Sequence, residues 1–356
     1  MELKIAVLPG DGIGPEVINE AVKVLGSIAK KYNHKFKFEE ALVGAEAIYK
    51  TKNPLPDETL ELCKNSDAIL FGAIGDPYFD NNPNEKVRPE QGLLKLRKEC
   101  NLFLNIRPVK AYDFLIQHSP LKKEIIEGSD LTIFRELTGG LYFGEKKVDE
   151  QNTVASDLCT YHSFEIERVA HLAFKTAKNR RQKVTLVDKA NVLETSRLWR
   201  KVVAKVAEEY KDITLEYLFV DNAAMQLVLN PKQFDVVLTE NLFGDILSDQ
   251  ASAISGSIGL LPSASVGDKF AMFEPIHGSF PQAKGKGIAN PCATILSAAM
   301  LLEHFNLHQE ASDIYQSVEK SLEMNFCTSD INPDSKITTE MVGDFIKTTV
   351  ESGVLV

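Results

Sequence analysis

Two hydrophobic periods alternate along this chain, and that alternation narrows the fold more than any other feature. Short continuous apolar runs such as Ile5–Leu8 are followed by longer stretches in which apolar residues recur every three or four positions, as at Val17, Ile18, Ala21, Val22, Leu25, Ile28 and Ala29. The same succession returns in DAILFGAIG, in the amphipathic SRLWRKVVAKVAEEY, and in ITLEYLFV followed by AAMQLVLN. A continuous run suits a strand covered on both faces, and a stripe of period 3.6 suits the helix that covers it. The expected class is therefore α/β with a mostly parallel sheet. At 356 residues the chain predicts about two domains. No Gly/Ser/Pro-rich linker, internal repeat or low-complexity tract separates two halves, so the chain is expected to cross between domains more than once.

Composition removes several function classes. A net charge of −10 argues against nucleic acid or an anionic membrane as partner, since both demand an extended basic surface. No apolar run approaches the roughly 20 residues that span a bilayer, and the first residues lack the pattern of a secretory signal. The expected location is the cytoplasm. The five cysteines, Cys63, Cys100, Cys159, Cys292 and Cys327, have no C-x-x-C spacing, so neither a disulfide framework nor a zinc site is expected.

The opening LPGDGIGPEV places Gly10, Gly12 and Gly14 between a strand-like run and a helix start. A Rossmann fingerprint needs a third glycine five positions after the first, where helix and strand touch; Pro15 stands there. Glu39 or Glu40 would then serve as the ribose-binding acid. The competing reading is a tight strand-to-helix turn. Further on, DPYFDNNPNEK from Asp76 to Lys86 reads as a long loop near a site.

Chemistry-bearing residues collect where strand-like runs end and helices begin: Asp188, Lys189 and Asn191 in VTLVDKANVL, Asp221 and Asn222 in YLFVDNAAM, and Asn241, Asp245 and Asp249 in VVLTENLFGDILSD. Open α/β sheets bind ligands beyond the carboxyl ends of their strands. Asp245 and Asp249, one helical turn apart, project from one face. Joined by Asp221 they suit Mg²⁺ or Mn²⁺, which prefer oxygen ligands; the plainer alternative is a solvated acidic face. Arg97 follows Leu93 and Leu94 in GLLKLRKE, Arg107 lies in LNIRPVK, and Arg135 in LTIFREL. Guanidinium forks bind carboxylates bidentately. Surface ion pairs explain each arginine singly, but with a metal they point to a substrate carrying more than one carboxylate. Tyr142, after the Gly139–Gly140 turn, and Lys189 are candidate proton carriers. A core aromatic and a loop salt bridge are their ordinary readings. The histidines show neither metal-ligand spacing nor a G-x-S-x-G partner.

LPGDGIGPEV, VRPEQGLLKLR, LNIRP, FRELTGGLYFG, VDKANVL, VDNAAMQLV, ENLFGDILSD and EPIHGSFPQAKGKGIANP stand in the order of the β-hydroxyacid oxidative decarboxylases. From about Ile5 to Ala299 the chain resembles this isocitrate/isopropylmalate dehydrogenase family. Isocitrate-oxidising members tend to carry R-E-N-T-E-G where this chain has RELTGG, and lack its paired leucines, so the resemblance is closest to the isopropylmalate-oxidising branch. It implies a two-domain fold that is not a Rossmann fold, with a mostly parallel sheet in the larger domain. Residues 1–102 and 256–356 would form that larger, cofactor-binding domain, and 103–255 a smaller one carrying substrate and metal residues and the dimer contact. The implied reaction is oxidative decarboxylation of (2R,3S)-3-isopropylmalate to 4-methyl-2-oxopentanoate and CO₂ with reduction of NAD⁺, a step of leucine biosynthesis.

Residue by residue, the resemblance assigns the dicarboxylate substrate to Arg97, Arg107, Arg135 and Asp221, with Leu93 and Leu94 at its alkyl group. It assigns Mg²⁺ or Mn²⁺ to Asp221, Asp245 and Asp249, the accepting base to Lys189, and protonation of the product carbanion to Tyr142. NAD is assigned to Gly75 through Glu90 on its nicotinamide side, and on its adenosine side to the loop His277–Asn290, with His277, Gly278, Ser279, Gln282, Gly287, Ile288 and Asn290 named. LPGDGIGPEV becomes a turn lining the cleft. The implied assembly is a homodimer with shared active sites, in which the neighbouring subunit contributes Lys189 and Asp221. Two departures stand out: Asp76 where relatives often have glycine, and Gln282 where NAD-using relatives often have aspartate. A sister enzyme acting on malate or tartrate derivatives and a nucleotide-binding regulator without turnover are the alternatives.

Overall fold

The computed structural model describes residues 1–82 and 85–353, and the chain divides into two compact units, Met1–Leu102 with Gly256–Val356, and Phe103–Ser255. In the first unit, strand Glu2–Gly10 pairs in parallel with Lys35–Glu40 on one side and Ala68–Ala73 on the other. Ala68–Ala73 pairs in parallel with Ala271–Pro275, which pairs antiparallel with Pro262–Val266. Ile5, Leu8, Leu70 and Met272 are fully buried, as their continuous apolar runs require of strands covered on both faces.

Helix Gly14–Lys31 buries Val17, Ile18, Ala21, Val24, Leu25 and Ile28. Val22 and Ala29, expected on that stripe, are only half-buried, because at 100° per residue Val24 lies closer to its midline. Cys292–His304 is apolar almost all round and correspondingly sits inside the unit. No described helix is long and apolar enough to cross a membrane.

The glycines of LPGDGIGPEV make a close-packed turn. Gly10 has φ +70, and a Cβ there would lie 1.9 Å from the carbonyl oxygen of Ala73; at Gly12, φ +58, it would lie equally close to that of Ser279. The backbone of Asp11 donates to Ala73 and that of Ile13 to Ser279, both at 2.8 Å. The space a pyrophosphate would use beside these glycines is filled by carbonyl oxygens, which repel phosphate. Glu39 bonds Lys4 and Lys37.

In the second unit, strand Asp130–Glu136 lies between antiparallel Leu104–Lys110 and parallel Val236–Thr239. Lys183–Asp188 and then Thr214–Phe219 continue the parallel order. Helices Glu194–Ala207, Val220–Leu229 and Asn241–Ser255 each follow one of these strands. Lys189, Asp221 and Asn241 thus stand at the carboxyl ends of parallel strands, and Arg135 is the penultimate residue of strand Asp130–Glu136. An exposed antiparallel ribbon pairs Lys146–Val148 with Ala155–Asp157.

Candidate active site

In the second unit, six of the singled-out side chains meet. Arg107 and Arg135 project from the antiparallel pair of strands and are buried, 5% and 3% exposed. Arg135 donates through Nε to Asn241 Oδ1 at 3.0 Å and through Nη1 to Asp245. Arg107 donates to Asn105 and Ser248 and lies 3.6 Å from both Asp245 and Asp249. The hydroxyl of Tyr142 donates to Asp245 Oδ2 at 2.6 Å, with the Arg135 guanidinium 5.4 Å from its ring centroid. Burial, and next the bond to Asp245, push the Tyr142 hydroxyl above its ordinary value, so it stays protonated and able to donate at neutral pH.

Asp245 and Asp249 share one face of helix Asn241–Ser255, as their spacing requires. The Asp249 carboxyl is raised by desolvation first and also by repulsion from Asp245, against the pull of Arg107. Two repelling oxygen donors suit a hard divalent cation. Among the described residues of one chain, however, no three His, Cys, Asp or Glu side chains gather to hold a metal. Asp221 is instead bound by Lys189 at 2.6 Å, a hydrogen bond that lowers its carboxyl below the ordinary value.

In the first unit, Arg97 is buried on helix Pro89–Glu99 and donates from Nη2 to Glu274 Oε1 at 3.0 Å, leaving a buried Nε without a partner. Leu93 packs partly into the core cluster of Leu96 and Leu102, and Leu94 is half-exposed. A Cβ on Gly75, φ +120, would touch Glu90 Oε1 and Ser279 Oγ at 3.2 and 3.3 Å, so these three residues are brought together. Asp11 accepts from the backbone of Ala45, Glu46 and Gly75. Asp76 accepts from Tyr78 N and Tyr49 and caps a single helical turn, Pro77–Asp80, in the stretch expected to be loop. Pro83 and Asn84 of that stretch lie outside the described residues.

A cavity of about 370 Å³ takes in His277, Gly278, Ile288 and Asn290 of the expected loop. Ser279, Gln282 and Gly287 are not on its lining; Ser279 is buried and Gln282 exposed. Phe280 and Ala289 of the same loop and Ile13 of LPGDGIGPEV also line it, and Ser257, Ile258, Gly259 and Asp330, which the sequence did not single out, complete the wall. Asn290 is fixed by Asp330, 3.0 Å from its Nδ2. Burial lowers the basicity of His277, so the ring is neutral; its Nδ1 lies 3.0 Å from the Gly278 carbonyl and donates to it. Nε2 is then an acceptor, shielded and without a partner. An apolar wall with one orphan acceptor fits a purine carrying an amino group.

The chain belongs to the isocitrate/isopropylmalate dehydrogenase family, whose model matches residues 4–346. Among its relatives, the 3-isopropylmalate dehydrogenase of Bacteroides fragilis is 53% identical, covering 97% of this chain and 98% of that one. That of Clostridium acetobutylicum is 54% identical, with the same coverage. Among solved structures, isocitrate dehydrogenase from Methylococcus capsulatus superposes with a TM-score of 0.89 at 35% identity, covering 98% of this chain and 99% of that one. A beta-decarboxylating dehydrogenase from Thermococcus kodakarensis gives 0.78 at 37% identity, over 98% and 96%.

Proposed function

We propose that the protein catalyses oxidative decarboxylation of (2R,3S)-3-isopropylmalate to 4-methyl-2-oxopentanoate and CO₂ with reduction of NAD⁺, a cytoplasmic step of leucine biosynthesis. The observation that carries this reading is the meeting of Arg107, Arg135 and Tyr142 with Asp245 and Asp249. The relatives named for isopropylmalate agree with RELTGG and the paired leucines.

When bound, NAD supplies the hydride acceptor and Mg²⁺ or Mn²⁺ the Lewis acidity. Asp245 and Asp249 of one chain with Asp221 of a second would hold the cation; His277, Gly278, Ile288 and Asn290 would hold the adenosine half of NAD, and Gly75 and Glu90 would lie on its nicotinamide side. Arg97, Arg107 and Arg135 bind the substrate carboxylates, and Leu93 and Leu94 meet the isopropyl group. Lys189 accepts the proton of the C2 hydroxyl as C2 is oxidised. After CO₂ leaves, Tyr142 delivers a proton to C3.

The homodimer in this proposal is supported by an uncovered apolar face. Met225 and Leu229 on helix Val220–Leu229 and Ile246 on helix Asn241–Ser255 are 50%, 56% and 57% exposed, and Gln250 ties the two helices through the Ala224 carbonyl. Asp221 is one turn before Met225 on the same face, so a copy that covers Met225 also meets Asp221 and its partner Lys189.

The test is NADH formation by the purified protein with 3-isopropylmalate, malate or isocitrate, with and without Mg²⁺. Metal-dependent turnover of isopropylmalate well above the other two is expected. Preference for malate or isocitrate would favour a sister enzyme, and no turnover with any of them a regulator.

A further inference from the structure

Glu16, in the first turn of helix Gly14–Lys31 just after the glycine turn, has no part in the chemistry above, yet its carboxylate is fully engaged with a loop far away in sequence. Oε1 accepts from the backbone N–H of Gly285, and Oε2 from that of Gly287 at 3.0 Å. Both glycines have positive φ, +74 and +61, and nothing lies within 4 Å of where a Cβ would stand. No side-chain packing therefore restrains the loop at these two residues. The residues that follow, Ile288, Ala289 and Asn290, line the cavity. The segment is also tied down beyond these glycines: the Thr339 backbone donates to the Gly287 carbonyl at 2.9 Å and its hydroxyl to that of Ala289 at 2.6 Å, Ala289 packs with Ile13 and Val17, and Asn290 bonds Asp330.

A glycine-rich loop has more conformational freedom to lose than any other segment, and a ligand that must order it binds more weakly. A carboxylate accepting N–H groups from two residues of the loop removes that freedom beforehand, with bonds strengthened by its charge. We propose that Glu16 is a positioning residue that holds the Gly285–Asn290 segment in its binding-ready shape, so that it sets the affinity for the adenosine half of the dinucleotide without touching it. The inference rests on the dinucleotide reading of the cavity given above. It also gives LPGDGIGPEV a part in cofactor binding that needs no fingerprint.

The test compares the wild-type protein with Glu16→Gln, whose amide keeps one acceptor but turns its NH₂ toward a donor. ADP-ribose binding is measured by calorimetry, together with the KM for NAD, the KM for isopropylmalate, kcat and the melting temperature. ADP-ribose affinity is expected to fall, and the KM for NAD to rise, by about tenfold or more. The kcat and the substrate KM should stay within about twofold, with melting unchanged. Unaltered ADP-ribose affinity overturns the proposal, and so does a uniform loss of kcat, both KM values and melting temperature, which marks a merely structural role. If Glu16→Gln does not fold, amide exchange in the wild-type protein decides: Gly285 and Gly287 should exchange at least about tenfold slower than free peptide, and free exchange overturns the clamp. A wild-type protein that neither binds ADP-ribose nor reduces NAD overturns the functional reading itself.

Discussion

At the scale of single residues, the placements separate side chains that were equivalent in sequence. Leu93 leans into the core while Leu94 is half-exposed, so Leu94 is the cleaner position for altering alkyl preference. Replacing it with Asn should lower the kcat/KM ratio of isopropylmalate over malate by about tenfold, because burying a Val-sized group contributes roughly 1.5–3 kcal/mol. An unchanged ratio in steady-state assays would remove Leu94 from the substrate pocket. Tyr142→Phe deletes the hydroxyl bonded to Asp245 and should reduce kcat by about 10²–10⁴ while the substrate KM changes little; a kcat near wild type would deny it the proton. At Gln282, an aspartate would repel a 2′-phosphate that a neutral amide tolerates. Lys284 cannot offset this freely, because Glu46 holds its ammonium at 3.0 Å. Gln282→Asp should therefore lower kcat/KM for NADP about tenfold more than for NAD, and equal changes with the two cofactors would mean that Gln282 faces away from the ribose.

At the scale of elements, the periods of the sequence announced strands and helices well, because burial on one or two faces writes itself into neighbouring residues. The strand-end positions of Lys189, Asp221 and Asn241 were legible for the same reason. Partners far apart in the chain were not: Arg97 with Glu274, Glu16 with Gly285, and Gly12 with the Ser279 carbonyl depend on how elements pack, which no local pattern records. Equally silent was Glu240, at the head of helix Asn241–Ser255. It is 5% exposed, its Oε2 lacks a partner, and burial, then the charges of Asp188 and Glu136, raise its carboxyl to about 7. An acid with a raised folded pKa holds its proton in the native state while the unfolded chain has already lost it. Stability therefore falls as pH climbs from the unfolded value near 4.5 to about 7, and levels off above. Glu240→Gln should stabilise the protein at pH 8 by as much as ~3 kcal/mol, with little effect at pH 5. Equal changes in melting temperature at the two pH values would contradict this.

At the scale of the whole molecule, one chain gathers two arginines, the tyrosine and two carboxylates, and keeps Lys189 and Asp221 as a separate pair beside an uncovered apolar face. We propose that these are the two halves of one active site, completed only between copies. Mixing chains that carry Lys189→Ala with chains that carry Tyr142→Phe, each nearly inactive alone, tests this most directly. In a heterodimer one site receives Tyr142 from one chain and Lys189 from the other, while its twin receives neither. With random reassortment half the dimers are mixed and half their sites are intact, so isopropylmalate-dependent NADH formation should recover to roughly a quarter of the wild-type rate. Verified heterodimers that show no recovery would contradict the account, because both residues would then act within a single chain.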